Sequence, residues 1–415
     1  MPDTMKPIHF PDTPLSGATT GGVLLAGLLA IFTPALSIAA ASGAPPLKLS
    51  IIHSFPAVGL EARNPQHALQ AGPDGLLYGV TSGGGSANQG VLFQIQTNGA
   101  HYRTLHTFTK QPGDGGGPVG QVLITPARVL YGVTESGGSP YGTVYAFNLE
   151  TKAFRVIHGF AGVADAQFPS AGPILGTDGR LYGVSDRGGT HQQGALYVMA
   201  TDGSGAGLLH HFKGSQGDGG HPQGALLETR DEYLYGTTST GGNFGLGTLF
   251  RIRKDDKDYR VLHHFAGVNR DVGIPMTCLV DDGFGTLFGV GRSGGGTSQG
   301  GGVFRIQTDG TGYRQLHGFG AAAGGPRLPG NGLALTPGGW LLGVTMSGGQ
   351  RQVGTVFVLD KEGSMLHVLH HFSGTGGQDG AHPVAPLVRA GECFYGSTEK
   401  GGAYNAGTIF KLSLP

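Results

Sequence analysis

Imidazoles, carboxylates and guanidinium groups recur along this chain at spacings that could do chemistry. His-x-Phe occurs seven times, with its histidine at 53, 106, 158, 210, 263, 317 and 370. A carboxylate stands four residues before a proline at Glu61, Asp114, Asp165, Asp218, Asp271 and Asp379. Such groups ligate metals and move protons. One histidine per repeat, however, disperses the set around a structure, so a shared metal centre is rejected in favour of a repeated packing and hydrogen-bonding role. An Asp at the head of a turn commonly caps it; a ring of calcium or substrate ligands is the alternative for those loops. No other metal or cofactor is expected.

The residues that break the repeat carry more information. His67, His221 and His382 flank the loop prolines, and His191 lies in a turn expected on the same face. Arg63, Arg187, Arg292, Arg327 and Arg351 map there too, with Tyr141 and Tyr404. A cationic, imidazole-bearing funnel would suit an acidic sugar or another anion. The same mixture would suit a polysaccharide lyase or glycosidase, with His221 or His382 as the base beside an arginine that neutralises a uronate. The plain reading is a rim of solvated loop residues. No G-x-S-x-G elbow, H-E-x-x-H, phosphate loop or paired cysteine motif accompanies them.

The elements that must position these groups are short and regular. The aromatic or leucine of an L-Y-G element falls at Tyr78, Tyr131, Tyr182, Tyr235, Phe288, Leu342 and Tyr395, with gaps of 53, 51, 53, 53, 54 and 53. Each copy holds four apolar runs of strand length, such as GQVLIT (120–125), VLYGVT (129–134), GTVYAF (142–147) and FRVIHGF (154–160). They are rich in Val, Ile, Leu and Tyr and are bounded by turn residues. No sustained helical period follows residue 47. Glycine runs after the second strand should make the turn to the third. Gly90, Gly142, Gly194, Gly247, Gly302, Gly354 and Gly407 should end that loop.

Four-stranded antiparallel units in tandem imply an all-β, seven-bladed β-propeller. The chain opens on a lone fourth strand, LKLSIIHSF (47–55), and closes on three strands without a fourth. Joining them would complete the seventh blade and remove two exposed sheet edges.

The pattern D-G-x-L-Y-G-V-T-x-x-G-G-x-x-x-x-G-T-V-F, followed by L-H-x-F and D-G-x-x-P, covers 47–415 and resembles the GloVer tandem repeat. That repeat is found in secreted or surface-anchored bacterial proteins, also termed choice-of-anchor repeat proteins. The resemblance implies fold and export rather than an activity.

Residues 1–46 form a separate segment. The run 21–44 is nearly uncharged and ends in small residues with an Ala39-x-Ala41 pattern, as in a signal peptide. An uncleaved anchor is the rival, because the run approaches the ~20 residues that span a bilayer. The expected address is secreted, periplasmic or cell-surface, with membrane contact only if that segment is retained. Lys+Arg 27 balances Asp+Glu 27, so nucleic acid is not an expected partner. Cys278 and Cys393 occupy different repeat positions and no disulfide is expected. The sequence thus points to a monomeric binding scaffold for an extracellular glycan or protein, with the lyase and a purely structural envelope protein as alternatives. A single tryptophan weighs against extended stacking on neutral glycans.

Overall fold

In the computed structural model the described residues are 48–414, apart from 58–60, 163–164, 216, 269, 297–298, 321–323 and 375–378. The proposed signal or anchor segment, 1–46, lies outside them. All regular structure in the described residues is β. The second blade shows the unit: Gly116–Ile124, Val129–Ser136, Thr143–Asn148 and Phe154–Gly159 pair antiparallel in that order, from inner to outer. Seven such sheets follow one another, so the protein is a seven-bladed β-propeller.

Alternation along each strand explains the L-Y-G motif. Successive side chains point to opposite faces, so Leu77 packs between the seventh and first blades while Tyr78 packs between the first and second. The glycine that follows makes room for the aromatic of the third strand. A Cβ on Gly79 would sit 2.6 Å from Phe93 Cζ, and one on Gly236 would sit 2.6 Å from Phe250 Cζ. The result is seven buried apolar clusters, one at each inter-blade interface, which return on themselves.

The ring closes as the repeat pattern requires. Lys48–Ser54 pairs antiparallel with Thr408–Ser413, from Lys48 opposite Ser413 to Ser54 opposite Thr408. This lone strand even carries the bulge found between third and outer strands elsewhere, here between Ile51 and His53 and in the second blade between Val144 and Tyr145. Phe55 is then fully buried against Leu77, Phe93 and Ile409.

One sequence expectation is corrected. In the fifth blade the loop-ending glycine is Gly301, at φ 82°, whereas Gly302 already begins the strand Gly302–Gln307. Each inner strand is bulged. In five blades it splits into two short pieces, as at Ala166–Pro169 and Ile174–Leu175. In the sixth, the register moves four residues on one strand for two on the other, between Pro329 and Leu333. Both cysteines are free.

Candidate functional site in the central funnel

The inner-strand bulge is built on the loop proline. In all seven blades the residue before it takes a left-handed backbone: Asn64 (58°), Gly117 (61°), Phe168 (54°), His221 (54°), Ile274 (52°), Leu328 (53°) and His382 (55°). For the six non-glycine residues this costs on the order of 1–3 kcal/mol each. Each of the seven is held by its own N–H, which donates across the blade boundary to a carbonyl of the preceding blade. His221 N–H to Gln193 O is 2.7 Å, Phe168 N–H to Tyr141 O is 2.8 Å and Asn64 N–H to Ala406 O is 2.8 Å. Because the conformation recurs in every blade, it is architectural. Its effect is to turn the residues after the proline toward the axis.

Those residues line a cavity of about 530 Å³. Every blade contributes: Gln66 and His67 from the first, Gln121 and Glu135 from the second, Phe168, Asp186 and Arg187 from the third, Gln223 from the fourth, Met276 and Cys278 from the fifth, Asn331 from the sixth and Pro386 from the seventh. Beneath it the inner chains bond to one another. Cys278 N–H donates to Asn331 O at 2.8 Å, and Asn331 N–H to Val384 O at 2.6 Å. A smaller cavity of about 180 Å³ shares Ala68, Gln121, Cys278 and Pro386, which therefore form a waist on the axis.

Hydrogen bonds fix the orientation of the polar wall. Asp186 Oδ1 accepts from Gln223 Nε2 at 2.5 Å and lies 3.2 Å from His221 Nδ1, while its Oδ2 is 3.7 Å from Arg187 Nε. Gln121 Nε2 donates to Leu69 O and Gln70 Oε1, each at 2.9 Å. Asn331 Oδ1 accepts from Arg292 Nη2 at 2.7 Å. His67 is half-buried, and the protein around it holds its imidazole down to about 4, so it is neutral at pH 7. Burial likewise pushes the Cys278 thiol up and the Arg292 guanidinium down.

The anticipated cationic funnel is therefore corrected. Among the charged side chains of the cavity wall, Glu135 and Asp186 face one Arg187, a formal charge of −1 with His67 neutral. Of the residues singled out from sequence, His67 and Arg187 line the cavity, and His221 joins it through Asp186. His382 lies elsewhere on the ring, with Nδ1 3.0 Å from Met346 O. Arg63 is tied to Ala57 O at 3.1 Å and Asn88 Oδ1 at 2.5 Å. Arg292 positions Asn331 from behind the wall. Tyr141 packs edge-on against Phe168, centroids 5.8 Å apart. His191, Arg351 and Tyr404 are exposed and Arg327 is half-buried, none of them in the cavity wall. Sequence reasoning missed Gln66, Gln121, Glu135, Phe168, Asp186, Gln223 and Asn331; comparing copies one to three residues past the loop proline finds Gln66, Gln121, Gln223 and Asn331.

The repeated His and Asp have another task. Each loop Asp accepts from, or pairs with, the His-x-Phe imidazole of the preceding blade's outer strand: His106 Nε2–Asp114 at 2.9 Å, His158–Asp165 at 3.1 Å, His263–Asp271 at 3.2 Å and His370–Asp379 at 2.8 Å. Several of these imidazoles stack on an aromatic ring, His106 on Phe154 and His210 on Tyr259 at 3.7 Å. These contacts staple neighbouring blades. Burial would raise the Asp carboxyls, but the donors around them outweigh it and hold all five below the usual range. The copy-six loop lacks the acid, and His317 has no such partner among the described residues. No group of three His, Cys, Asp or Glu among them is placed to hold a metal.

Solved structures share this fold at low identity. The extracellular domain of a putative one-component system from B. thetaiotaomicron superposes with a TM-score of 0.58 at 12% identity, over 86% of this chain and 39% of that one. An oligogalacturonate lyase from Vibrio parahaemolyticus gives 0.55 at 11% identity, covering 89% and 98%. An oligogalacturonate lyase in complex with manganese gives 0.53 at 12% identity, covering 89% and 97%. No curated protein matches in sequence. The sequence profile of the Gloeobacter/Verrucomicrobia repeat matches residues 42–231, 139–328 and 231–415. Together these matches run through all seven blades, and the chain belongs to the Gloeobacter/Verrucomicrobia repeat family.

Proposed function

We propose that this protein is an exported, monomeric binding scaffold whose ligand, an extracellular carbohydrate or a protein partner, seats in the central funnel. One observation carries the reading. Positions that hold the sheets together repeat from copy to copy, whereas the position after the loop proline reads Gln66, Val119, Ser170, Gln223 and Met276 in the first five. A purely structural role would repeat there too. The apolar run at 21–44 supports the exported address. The test is retention of glycans and of extracellular proteins by the purified chain from residue 47 onward. Loss of retention in Asp186→Ala/Gln223→Ala is expected; retention unchanged in that variant removes the funnel as the site.

A second reading, the lyase, is favoured by the Asp186–His221 pair, in which a carboxylate orients an imidazole beside Arg187. The solved oligogalacturonate lyases share the fold alone. The negative wall weighs against a uronate substrate. Incubation with uronate polysaccharides, followed by ultraviolet absorbance of unsaturated products, decides it. A signal abolished by His221→Ala would establish the lyase, and none across the panel would remove it.

A further inference from the structure

We propose that the funnel takes an uncharged polyhydroxylated ligand, a neutral sugar residue or chain end, in preference to a uronate or any other anion. The proposal rests on the funnel being the binding site. Its first support is what the wall has left to offer. Gln121 Nε2 is used on two acceptors, so its Oε1 remains; Gln223 Nε2 is used on a carboxylate, so its Oε1 remains. Asn331 Oδ1 is used on a guanidinium, so its Nδ2 donors remain. These three amide orientations are fixed because a main-chain carbonyl, a carboxylate and a guanidinium can each play only one role.

Asp186 adds an acceptor, since both its short contacts fall on Oδ1 and, among the described residues, only Arg187 at 3.7 Å approaches Oδ2. His67 adds one donor and one acceptor, being neutral and without a ring partner among the described residues. The wall therefore offers both acceptors and donors. A hydroxyl, which both donates and accepts, satisfies such a set; a carboxylate, sulfate or phosphate only accepts and would face oxygen. Sites built around unpaired hydrogen-bonding groups reject ligands that leave them unmet.

The second support is electrostatic and steric. Arg187, the one cation in the wall among the described residues, is shared with Asp186, and the exposed Glu135 lines the same cavity. An anion entering here meets net repulsion. Phe168 supplies what the single tryptophan does not. Its half-buried ring lines the cavity, is held edge-on by Tyr141, and is fixed by a left-handed backbone anchored across the blade boundary. The C–H face of a sugar ring can lie against it while its hydroxyls reach the amides. At about 530 Å³ the space is in the range of small-ligand pockets.

The experiment is calorimetric titration of the chain from residue 47 with neutral hexasaccharides (malto-, cello-, xylo- and mannohexaose) and with oligogalacturonate and oligoalginate of matched length, at 50 and 500 mM salt. At least one neutral series should bind tenfold or more tighter than either uronate, with affinity insensitive to salt. Phe168→Ala and Gln223→Ala should each weaken it tenfold or more at unchanged melting temperature; with two variants, a fold defect in one does not void the test. Tighter uronate binding that these substitutions abolish overturns the ligand class and leaves the funnel as the site. Neutral binding unaffected by either substitution overturns both statements; retention of no saccharide of either kind overturns the ligand class and leaves the funnel to be tested with a protein partner. Calcium binding alone, abolished by Asp186→Asn, would also overturn the ligand class.

Discussion

Asp114→Asn isolates the blade staple with almost no change of shape. Asp114 Oδ1 accepts from Gly115 N–H at 2.7 Å and His106 Nε2 at 2.9 Å; Oδ2 accepts from Thr109 N–H at 2.9 Å and Thr109 Oγ1 at 2.6 Å. An amide keeps one oxygen and turns the other into a donor. The hydroxyl can rotate and the imidazole can change tautomer, but a main-chain N–H cannot. In either orientation one N–H, of Gly115 or Thr109, is left facing NH₂. An orphaned donor of this kind costs about 1–3 kcal/mol, and losing the charge weakens the remaining bonds by a further ~1 kcal/mol. The expected loss is thus about 2–4 kcal/mol. With unfolding entropy of about 2.1 cal/mol/K per residue over some ~370 residues, that is roughly 3–5 °C in melting temperature. Glu61→Gln is the control. Glu61 holds the equivalent place in the first blade but is exposed and makes no comparable bond among the described residues, so its loss should be under ~0.5 kcal/mol. Calorimetry of the two variants decides the matter. Equal shifts, or no shift in Asp114→Asn, would refute the staple.

Three further outcomes follow from the same geometry. Because the five loop Asp carboxyls are held below their unfolded value of about 3.9, their stabilisation is present above that pH and lost as pH falls through the folded values. Urea midpoints should therefore drop steeply below about pH 4, after a shallower decline from about pH 7 to 5 as the unfolded chain protonates His67, which the fold holds neutral. A chain beginning after residue 55 loses six registered strand pairs and the fully buried Phe55, roughly 5–10 kcal/mol and comparable with the stability of a whole domain. It should lack cooperative unfolding, which a peptide spanning 48–55 restores in trans. In Gly90→Ala the new methyl would overlap Thr81 O and sit 2.7 Å from Pro118 Cδ, at φ 90°. That should cost about 3 kcal/mol or more, against about 1 kcal/mol for Gly205→Ala, where φ is 60° and nothing lies within 4 Å.

What could be read from the sequence was what every blade needs. Leu77–Tyr78–Gly79 serves two interfaces and a neighbouring aromatic at once, so its copies betray the blade count and the closing strand. His106 and Asp114 could be seen to recur, but not to meet, since they lie on consecutive blades. The funnel was the least legible part. Its composition depends on the left-handed residue before each proline and on the bulge that follows, which no local preference announces for Ile274, Leu328 or Phe168. The loop arginines are conspicuous in sequence, yet Arg63, Arg327 and Arg351 lie outside the cavity wall. Asp186 was hidden because its role comes from His221 and Gln223, one blade further on.

The central claim is that ligands meet this protein where the seven inner chains converge. The direct measurement is amide hydrogen exchange with and without a retained saccharide. Slowing confined to 66–69, 168–172, 185–188 and 223–226 is the predicted footprint. Protection of the exposed outer strands or of the 282–285 and 361–365 turns, with those segments unchanged, would contradict it.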